Sequence, residues 1–500
     1  MKREAGALLS SIRLDRTSRK TISVQLYMAL RDILLCGGMK SGDRLPASRT
    51  MAREIGVSRT TVIDALDRLI SEGVLVSRVG SGTFVSNSFA AQKLPVGSGV
   101  DSKVQTMQPR LSYTVSHASK TYAPRAHLPH NSQAFITALP ALDAFPLAQW
   151  SRISSRHLRG DRGDTMGYGQ PQGHQALRRA IATHLAASRG IMCKPEQIFI
   201  TAGAQQAFAL IGQLFLDAGD RVWFENPGAK GARNAFVASG AELVPVPVDD
   251  EGLMVSEGVR KAPHFRLAFV TPSHQQPLGQ VMSLARRFEL LEAAVDAKAL
   301  IVEDDYDGEF YYGSRPEPAL KSIDTHGRVL YVGTFSKSLF PSLRLGFILV
   351  PERMVRIFDD AFSSWVSGPS TQSQGVVADF MDEGHFATHI RLMRRLYKAR
   401  YDALMEAAEV LPETVQIQPT NSGFHTPAFL HDQVDEEELV TQASAQNVTV
   451  AALGQYCLAP IHRKGLVLGF GSSTPAEIRA GIDTLRSLPA LGNIGLVKKL

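Results

Sequence analysis

Cysteine is scarce in this 500-residue chain: Cys36, Cys193 and Cys457 stand alone and odd in number. That excludes a disulfide framework and leaves no C-x-x-C knuckle for a metal, so we read them as buried or inert thiols. No run of about 18 apolar residues exists to cross a bilayer. The first 19 residues are polar and of mixed charge, without the apolar middle of an export signal. A cytoplasmic protein with no membrane partner is expected. A Walker loop is missing. His385 and His389 are four apart but lack the glutamate of an HExxH pair, so no metal site is expected either.

What is present is asymmetric. At roughly 150 residues per domain the length implies two to four folding units, and the net charge of +6 belongs to one of them. Residues 1–86 carry 14 Lys and Arg against 8 Asp and Glu, whereas the other 414 carry 40 of each. A locally basic unit suits a polyanion, because neutralising phosphates releases condensed counterions. A solvated basic face accounts for the same numbers equally well.

The local pattern in these 86 residues separates the two readings. From Thr21 to Cys36 the apolar residues recur as one face of a helix, closed by Gly37-Gly38. Ser48 opens SRTMAREI, Gly56-Val57 turns the chain, and Ser58 caps a second helix whose Val62, Leu66, Leu69 and Ile70 share a stripe. The apolar runs Val74–Val76 and Thr83–Val85, joined around Gly80, read as a hairpin wing. The first turn of the second helix, Ser58-Arg59-Thr60-Thr61, offers a guanidinium that can fork onto guanine and hydroxyls for phosphate oxygens. Its N-terminus adds its own attraction for phosphate. Arg44 and Arg49 precede it and Arg78 lies on the wing. Any one of these residues is explained as a cap or a solubilising charge; together with the wing they point to double-stranded DNA.

GDRLPASRTMAREIGVSRTTV followed by EGVLVSRVGSGTFV resembles the GntR-type winged helix over about 65 residues. The resemblance implies DNA contacts from Arg49, Arg59, Thr60 and the wing around Gly80, and the residue pattern adds Arg44, Ser48, Ser58, Thr61 and Arg78 to the expected DNA-binding set. Residues 87–140, rich in Ser, Ala, Gln, Pro and Gly with little periodicity, read as a flexible linker whose tail docks on the second domain.

Beyond residue 145, apolar runs at Gln197–Thr201, Arg221–Phe224, Leu267–Val270, Ala299–Val302 and Val329–Val332 alternate with helical stretches. That rhythm predicts an α/β fold around a mostly parallel sheet, with sites just past the carboxyl ends of strands. Three such ends carry candidate chemistry: the small-residue turn Thr201-Ala202-Gly203-Ala204-Gln205, the acids Glu303-Asp304-Asp305 before Tyr306, and Thr334-Phe335-Ser336-Lys337. Singly, these read as a plain helix start, a surface acidic turn and a surface lysine.

Their order and spacing, with TPSHQQPLG ahead of the acids, resemble the fold-type I aminotransferases that use pyridoxal 5'-phosphate (PLP). The resemblance implies that Lys337 forms the internal aldimine and Asp304 keeps the pyridine nitrogen protonated. It places Tyr306 and Gln276 at the phenolic oxygen. Ala204, Gln205, Thr334, Ser336 and Arg344 fall around the phosphate, with Tyr168 of YGQPQG reaching it from a neighbouring subunit.

A GntR-type head on an aminotransferase-like body is the layout of the MocR subfamily of regulators, which this chain resembles end to end. The expected organisation is an α+β winged helix-turn-helix domain over 1–86, the linker over 87–140 and, over 141–490, an α/β fold-type I PLP-dependent aminotransferase-like domain with a small C-terminal α/β subdomain. A head-to-tail homodimer is implied. Two departures bear on mechanism. The subfamily's E-D-P-G-Y is here Glu225-Asn226-Pro227-Gly228-Ala229, without the aromatic that stacks on the cofactor. The R-L-G-[FY] strand that clamps an α-carboxylate is here Val467-Leu468-Gly469-Phe470, so the arginine position is apolar. Sensing of a small amine, an amino acid or PLP itself is therefore expected ahead of turnover; a working aminotransferase with a DNA anchor, or a retired scaffold, are the other readings.

Overall fold

The structure, a computed structural model, describes residues 12–87, 112–119, 121–123, 133–312 and 317–492. It divides into two compact units, Met1–Pro109 and Arg110–Leu500. Of the predicted linker, residues 88–111, 120 and 124–132 lie outside the described residues.

The first unit is a three-helix core with a hairpin. In α1 (Ile22–Leu35), Thr21 caps the first turn and Leu26, Leu30 and Leu34, each four residues apart, form the buried face. α2 (Ser48–Ile55) ends on Gly56, whose φ of 75° is left-handed, the conformation that lets the chain turn within two residues. Ser58 then accepts from the Thr61 amide to start α3 (Arg59–Ser71). Val62, Leu66 and Leu69 bury against α1 and α2, with Ile70 packed at the margin. β1 (Leu75–Arg78) and β2 (Gly82–Val85) pair antiparallel from Leu75↔Val85 to Arg78↔Gly82, and Arg44 bridges to Phe84 as a third segment.

The second unit is built on an eight-stranded sheet: β3 (Ile198–Thr201), β4 (Arg221–Asn226), β5 (Glu242–Asp249), β6 (Gly252–Leu253), β7 (Leu267–Val270), β8 (Leu300–Asp305), β9 (Val329–Thr334) and β10 (Gly346–Leu349). Their spatial order is β3-β10-β9-β8-β7-β4-β5-β6. The pairs β9-β8, β8-β7, β7-β4 and β4-β5 are parallel, while β10 runs against both neighbours and β6 against β5. β5 escaped the sequence reading because Pro245 and Pro247 interrupt it. Both carbonyls turn to the outer edge, where Lys261 and the Met254 amide donate to them. The missing proline donors therefore fall on the side away from β4, and the ladder survives.

A smaller sheet, β11 (Val415–Ile417), β12 (His425–Leu430), β13 (Ala451–Ala452) and β14 (Lys464–Gly469), is antiparallel throughout in the order β11-β12-β14-β13. The 24-residue helix His385–Ala408 and the helix Pro475–Arg486 share its core through Ile390, Met393, Leu404, Ile478 and Ile482. Residues from the tail of the predicted linker reach this sheet, with Ala134 bridging to Val448 and Phe135 to Gly469. The short helix Tyr113–Ala118 precedes Thr121–Ala123, where Asn234 both donates to and accepts from the Ala123 backbone at 2.8 Å.

Cys36, at the C-cap of α1, is exposed. Cys193 and Cys457 are half-buried, and burial pushes both thiols up to about 11, so they remain protonated and unreactive at neutral pH.

Candidate functional site

In the first unit the residues singled out from the sequence gather at the first turns of α2 and α3 and on the wing. Arg44, Arg49, Arg59, Thr60, Arg78 and Gly80 are exposed, and Ser48 and Thr61 half-buried. Arg59 Nε donates to Ser48 Oγ at 3.4 Å, tying the start of α3 to the start of α2. Arg78 lies over the Phe84 ring at 5.0 Å, a cation–π contact that holds it on the wing. A Cβ on Gly82 would meet Arg44 Nε at 2.9 Å, so glycine there lets Arg44 lie across the hairpin. The result is a guanidinium-rich face with the fully exposed Val79 beside Gly80 at the wing tip.

In the second unit the candidate residues converge on the carboxyl ends of parallel strands. Beyond β9, Lys337 sits on the turn Phe335–Ser338, where Thr334 Oγ1 accepts from the Ser336 amide. Lys337 Nζ donates to Ala138 O at 2.6 Å. Burial lowers its pKa to about 8, against the pull of Asp307 and Asp304. A lysine so desolvated is available as a neutral amine near neutral pH.

β8 ends in three acids, and the surface-turn reading of them is overturned: all three are buried, each with a different environment. Glu303 accepts from the Leu320 and Lys321 amides at 2.9 and 2.7 Å. Asp305 binds Arg189 through both oxygens, at 2.7 and 2.6 Å, and accepts from Tyr331 Oη at 2.5 Å. Asp304, between them, keeps Oδ1 buried with no partner, and burial with Asp305, Asp307 and Glu225 nearby raises its pKa well above the usual carboxylate range. A buried acceptor in that state is matched by a cationic N–H donor, such as a protonated pyridine nitrogen.

Beyond β3, Gly203, with φ of 84°, opens the 12-residue helix Ala204–Phe215, whose first amides suit an anion. Arg344, itself left-handed at φ 52°, donates to Ala202 O at 3.2 Å and packs against Gly203. Gln205 reaches sideways to Gly231 O at 3.0 Å. Tyr306 is buried and Gln276 half-buried, whereas Tyr168 is fully exposed. Amide donors, guanidinium, free acid and lysine thus form the donor set that PLP requires, and the residues present fit it.

Both departures have a structural counterpart. Ala229 is buried at the start of the helix Lys230–Ala238, in an apolar cluster with Phe208, Phe224 and Phe236. Val467 is buried with Leu278, Leu453 and Tyr456, opposite Pro427 of β12 and Ala451 of β13.

The sequence reading missed a group drawn from three elements. His274 Nδ1 lies 2.9 Å from Asp307 Oδ2 and 3.1 Å from Tyr306 Oη, and the His425 ring of β12 lies tilted beside it with ring centroids 4.7 Å apart. It also missed Glu225, which accepts from the Thr271 amide, Thr271 Oγ1 and Gln275 Nε2 at 3.1, 2.7 and 3.1 Å. Burial outweighs those bonds and pushes Glu225 up to about 7, from 4.5. An acid held up in the folded state weakens folding once it must ionise: the penalty is absent below about 4.5 and complete above about 7. The second unit is therefore expected to lose stability as pH rises across that window, by about 3 kcal/mol from this group. Glu225→Gln should flatten the dependence, read as denaturation midpoints at pH 5, 6 and 7; an unchanged slope would place the raised acid elsewhere, Glu303 being the next candidate at about 7.

Comparison with known proteins agrees with this division. Residues 22–85 match the family described as bacterial regulatory proteins, gntR family, and residues 141–459 match aminotransferase class I and II. The chain is 39% identical over 478 residues to the probable rhizopine catabolism regulatory protein MocR of Rhizobium meliloti, covering 95% of each. It is 28% identical to the pyridoxine biosynthesis transcriptional regulator PdxR of Corynebacterium glutamicum, over 94% of this chain and 97% of that one. Among solved structures, Pyrococcus horikoshii kynurenine aminotransferase superposes with a TM-score of 0.67 at 28% identity, covering 77% of this chain and 96% of its own. Among the described residues no helix is long and apolar enough to cross a membrane.

Proposed function

Since this chain belongs to the MocR subfamily of GntR-type transcription regulators, we propose that it binds operator DNA through residues 1–86 and senses a small ligand through a PLP-bearing domain over 141–490, as a cytoplasmic, head-to-tail homodimer. The observation that carries the sensing half is the pairing of a lysine whose pKa is lowered to about 8 with the buried, unpartnered Asp304 Oδ1. PLP, when bound, supplies an aldehyde that condenses with primary amines and a ring that accepts electron pairs. Lys337 would offer the amine, Asp304 would hold a proton on the ring nitrogen, and Tyr306 and Gln276 would serve the phenolic oxygen. The amides of Ala204 and Gln205, with Thr334, Ser336 and Arg344, would take the phosphate. Tyr168, exposed on its own subunit, would complete that cradle in a partner.

The site favours sensing over turnover. An α-carboxylate set against Val467, Leu278 and Leu453 would be desolvated without the arginine that the R-L-G-[FY] strand supplies to pair it. The ligand is then a small amine, an amino acid held without that clamp, or PLP itself. The likeness to an aminotransferase structure favours a second reading, a working aminotransferase carrying a DNA anchor; sustained amino-group transfer through many turnovers by the purified protein would decide for it.

The DNA half is tested by fluorescence anisotropy on fragments upstream of the chain's own gene and its neighbours. Arg59→Ala should weaken specific binding about ten- to hundredfold, the worth of one base-reading guanidinium. Arg44→Ala should instead lower affinity for all sequences and reduce the salt dependence. Equal affinity of the Arg59→Ala variant and the parent for every fragment would remove α3 from the role.

A further inference from the structure

His274 and Asp307 have no part in holding PLP as proposed, yet both side chains are fully buried beside Tyr306. Their hydrogen-bond arithmetic is restrictive. His274 Nδ1 has two neighbours, Asp307 Oδ2 at 2.9 Å and Tyr306 Oη at 3.1 Å, and one hydrogen at most to share. The carboxylate is the stronger acceptor and takes it. Tyr306 Oη can then only accept a share of that hydrogen, so its own proton is turned away from His274 and left to donate elsewhere. The opposite arrangement, Tyr306 donating to Nδ1, would set an Asp307 oxygen against a nitrogen lone pair. Neighbouring backbone locks the ring: a Cβ on Gly423 would come within 2.4 Å of His274 Nδ1, and one on Gly279 within 3.2 Å of Nε2.

We propose that Asp307 and His274 are positioning residues for Tyr306, fixing its hydroxyl as a donor to the phenolic oxygen of bound PLP and so setting the pH at which the Lys337-linked chromophore changes colour. This rests on the PLP reading of the site. Several charged and titratable groups face the trio. Asp304, Glu225 and Tyr456 lie around Tyr306; His425 faces His274 and Lys337; Asp305, Glu309, Tyr312, Tyr397 and Lys337 lie near Asp307; Arg344 faces Lys337. A donor at the phenolic oxygen draws off its negative charge. With that donor misdirected, the oxygen holds the proton on the Lys337 nitrogen more tightly.

The test is a pH titration of the visible band of the full-length, PLP-loaded protein. Tyr306→Phe should move the midpoint up by about one unit, tenfold in proton affinity. His274→Phe should move it most of the way, and His274→Asn, which returns an N–H near the Nδ1 position, should restore much of the shift. Asp307→Asn keeps the shape of the pair but also removes a charge that raises the proton affinity of Lys337, so its upward shift should be smaller than that of His274→Phe. In Tyr306→Phe/His274→Phe the shifts should not add. A midpoint unmoved in the His274 variants, or shifts that add, would overturn the proposal. Imidazole nitrogen NMR of the cofactor-free protein gives a second readout, where His274 is expected as the Nδ1–H tautomer. The Nε2–H tautomer, or a metal ion held among His274, Asp307 and His425, whose donor atoms lie within 4.8 Å of one another, would overturn it as well. A wild-type protein with no Lys337-dependent band sinks the PLP reading separately, and with it the proposal.

Discussion

Lys337→Ala is expected to abolish the visible absorbance of the PLP-loaded protein completely and, with it, every effect of ligand on DNA binding, while the DNA affinity of the ligand-free protein stays where it was. The first expectation follows from chemistry that needs a primary amine at that atom, which alanine does not supply. The second follows from linkage: a ligand can shift an equilibrium between two forms only through its different affinity for them, and without a bond at Lys337 for the ligand to make or break that difference is lost. The third follows from the independence of the first unit's core, which is complete in itself. The pH dependence is specific. Because burial lowers Lys337 to about 8, its neutral fraction grows as pH rises through 8, and uptake of PLP by the empty protein should quicken over that range and level off above it. A visible band persisting in the alanine variant would place the chromophore on another lysine.

Arg189→Met should be the most damaging single change to the second unit that leaves the cofactor residues in place, about 3–5 kcal/mol of stability. Arg189 and Asp305 are both nearly inaccessible, with side chains 4% and 1% exposed. Removal of the guanidinium leaves a buried carboxylate with only Tyr331 as donor. The space offers no relief, because a Cβ on Gly308 would lie 1.7 Å from the guanidinium, so the site is built tightly around that charge. Chemical denaturation of the variant, monitored by tryptophan fluorescence, reads the loss directly. Arg189→Met combined with Asp305→Asn should recover much of it, since the uncompensated charge is gone. If the single and double variants unfold at the same midpoint, the pair is not what holds β8 in place.

These two residues also mark where the sequence stops being legible. The first unit was readable almost residue by residue because its signals are local: a serine cap at Ser58, a left-handed glycine at Gly56, leucines four apart in α1. The parallel strands were readable as apolar runs, as were the strand ends that carry Ala204, Asp304 and Lys337. The sequence could not say which of three consecutive acids stays unpartnered. That depends on Arg189, 116 residues away from Asp305, and on two amides following Ala319. Nor could it bring together His274, Asp307 and His425, which come from a loop, a strand end and the second sheet and share no spacing. β5 was hidden by Pro245 and Pro247, whose harmlessness depends on which side of the strand lies at an edge. The one hint to hand was density: TPSHQQPLG and EDDYDGE both crowd polar residues directly after apolar runs, in segments that turn out to be mostly buried.

The carbonyl that receives the Lys337 ammonium belongs to Ala138, a residue with φ of 67°, three positions beyond the bridge of Phe135 to Gly469. A covalent bond at Nζ would leave that nitrogen fewer hydrogens to offer, and Ala138 O is the acceptor it holds in this structure. That residue lies on the stretch of chain that enters the second unit from the DNA-reading end. Chemistry at the lysine therefore bears first on the opening stretch of the second unit, ahead of the first strand of its large sheet.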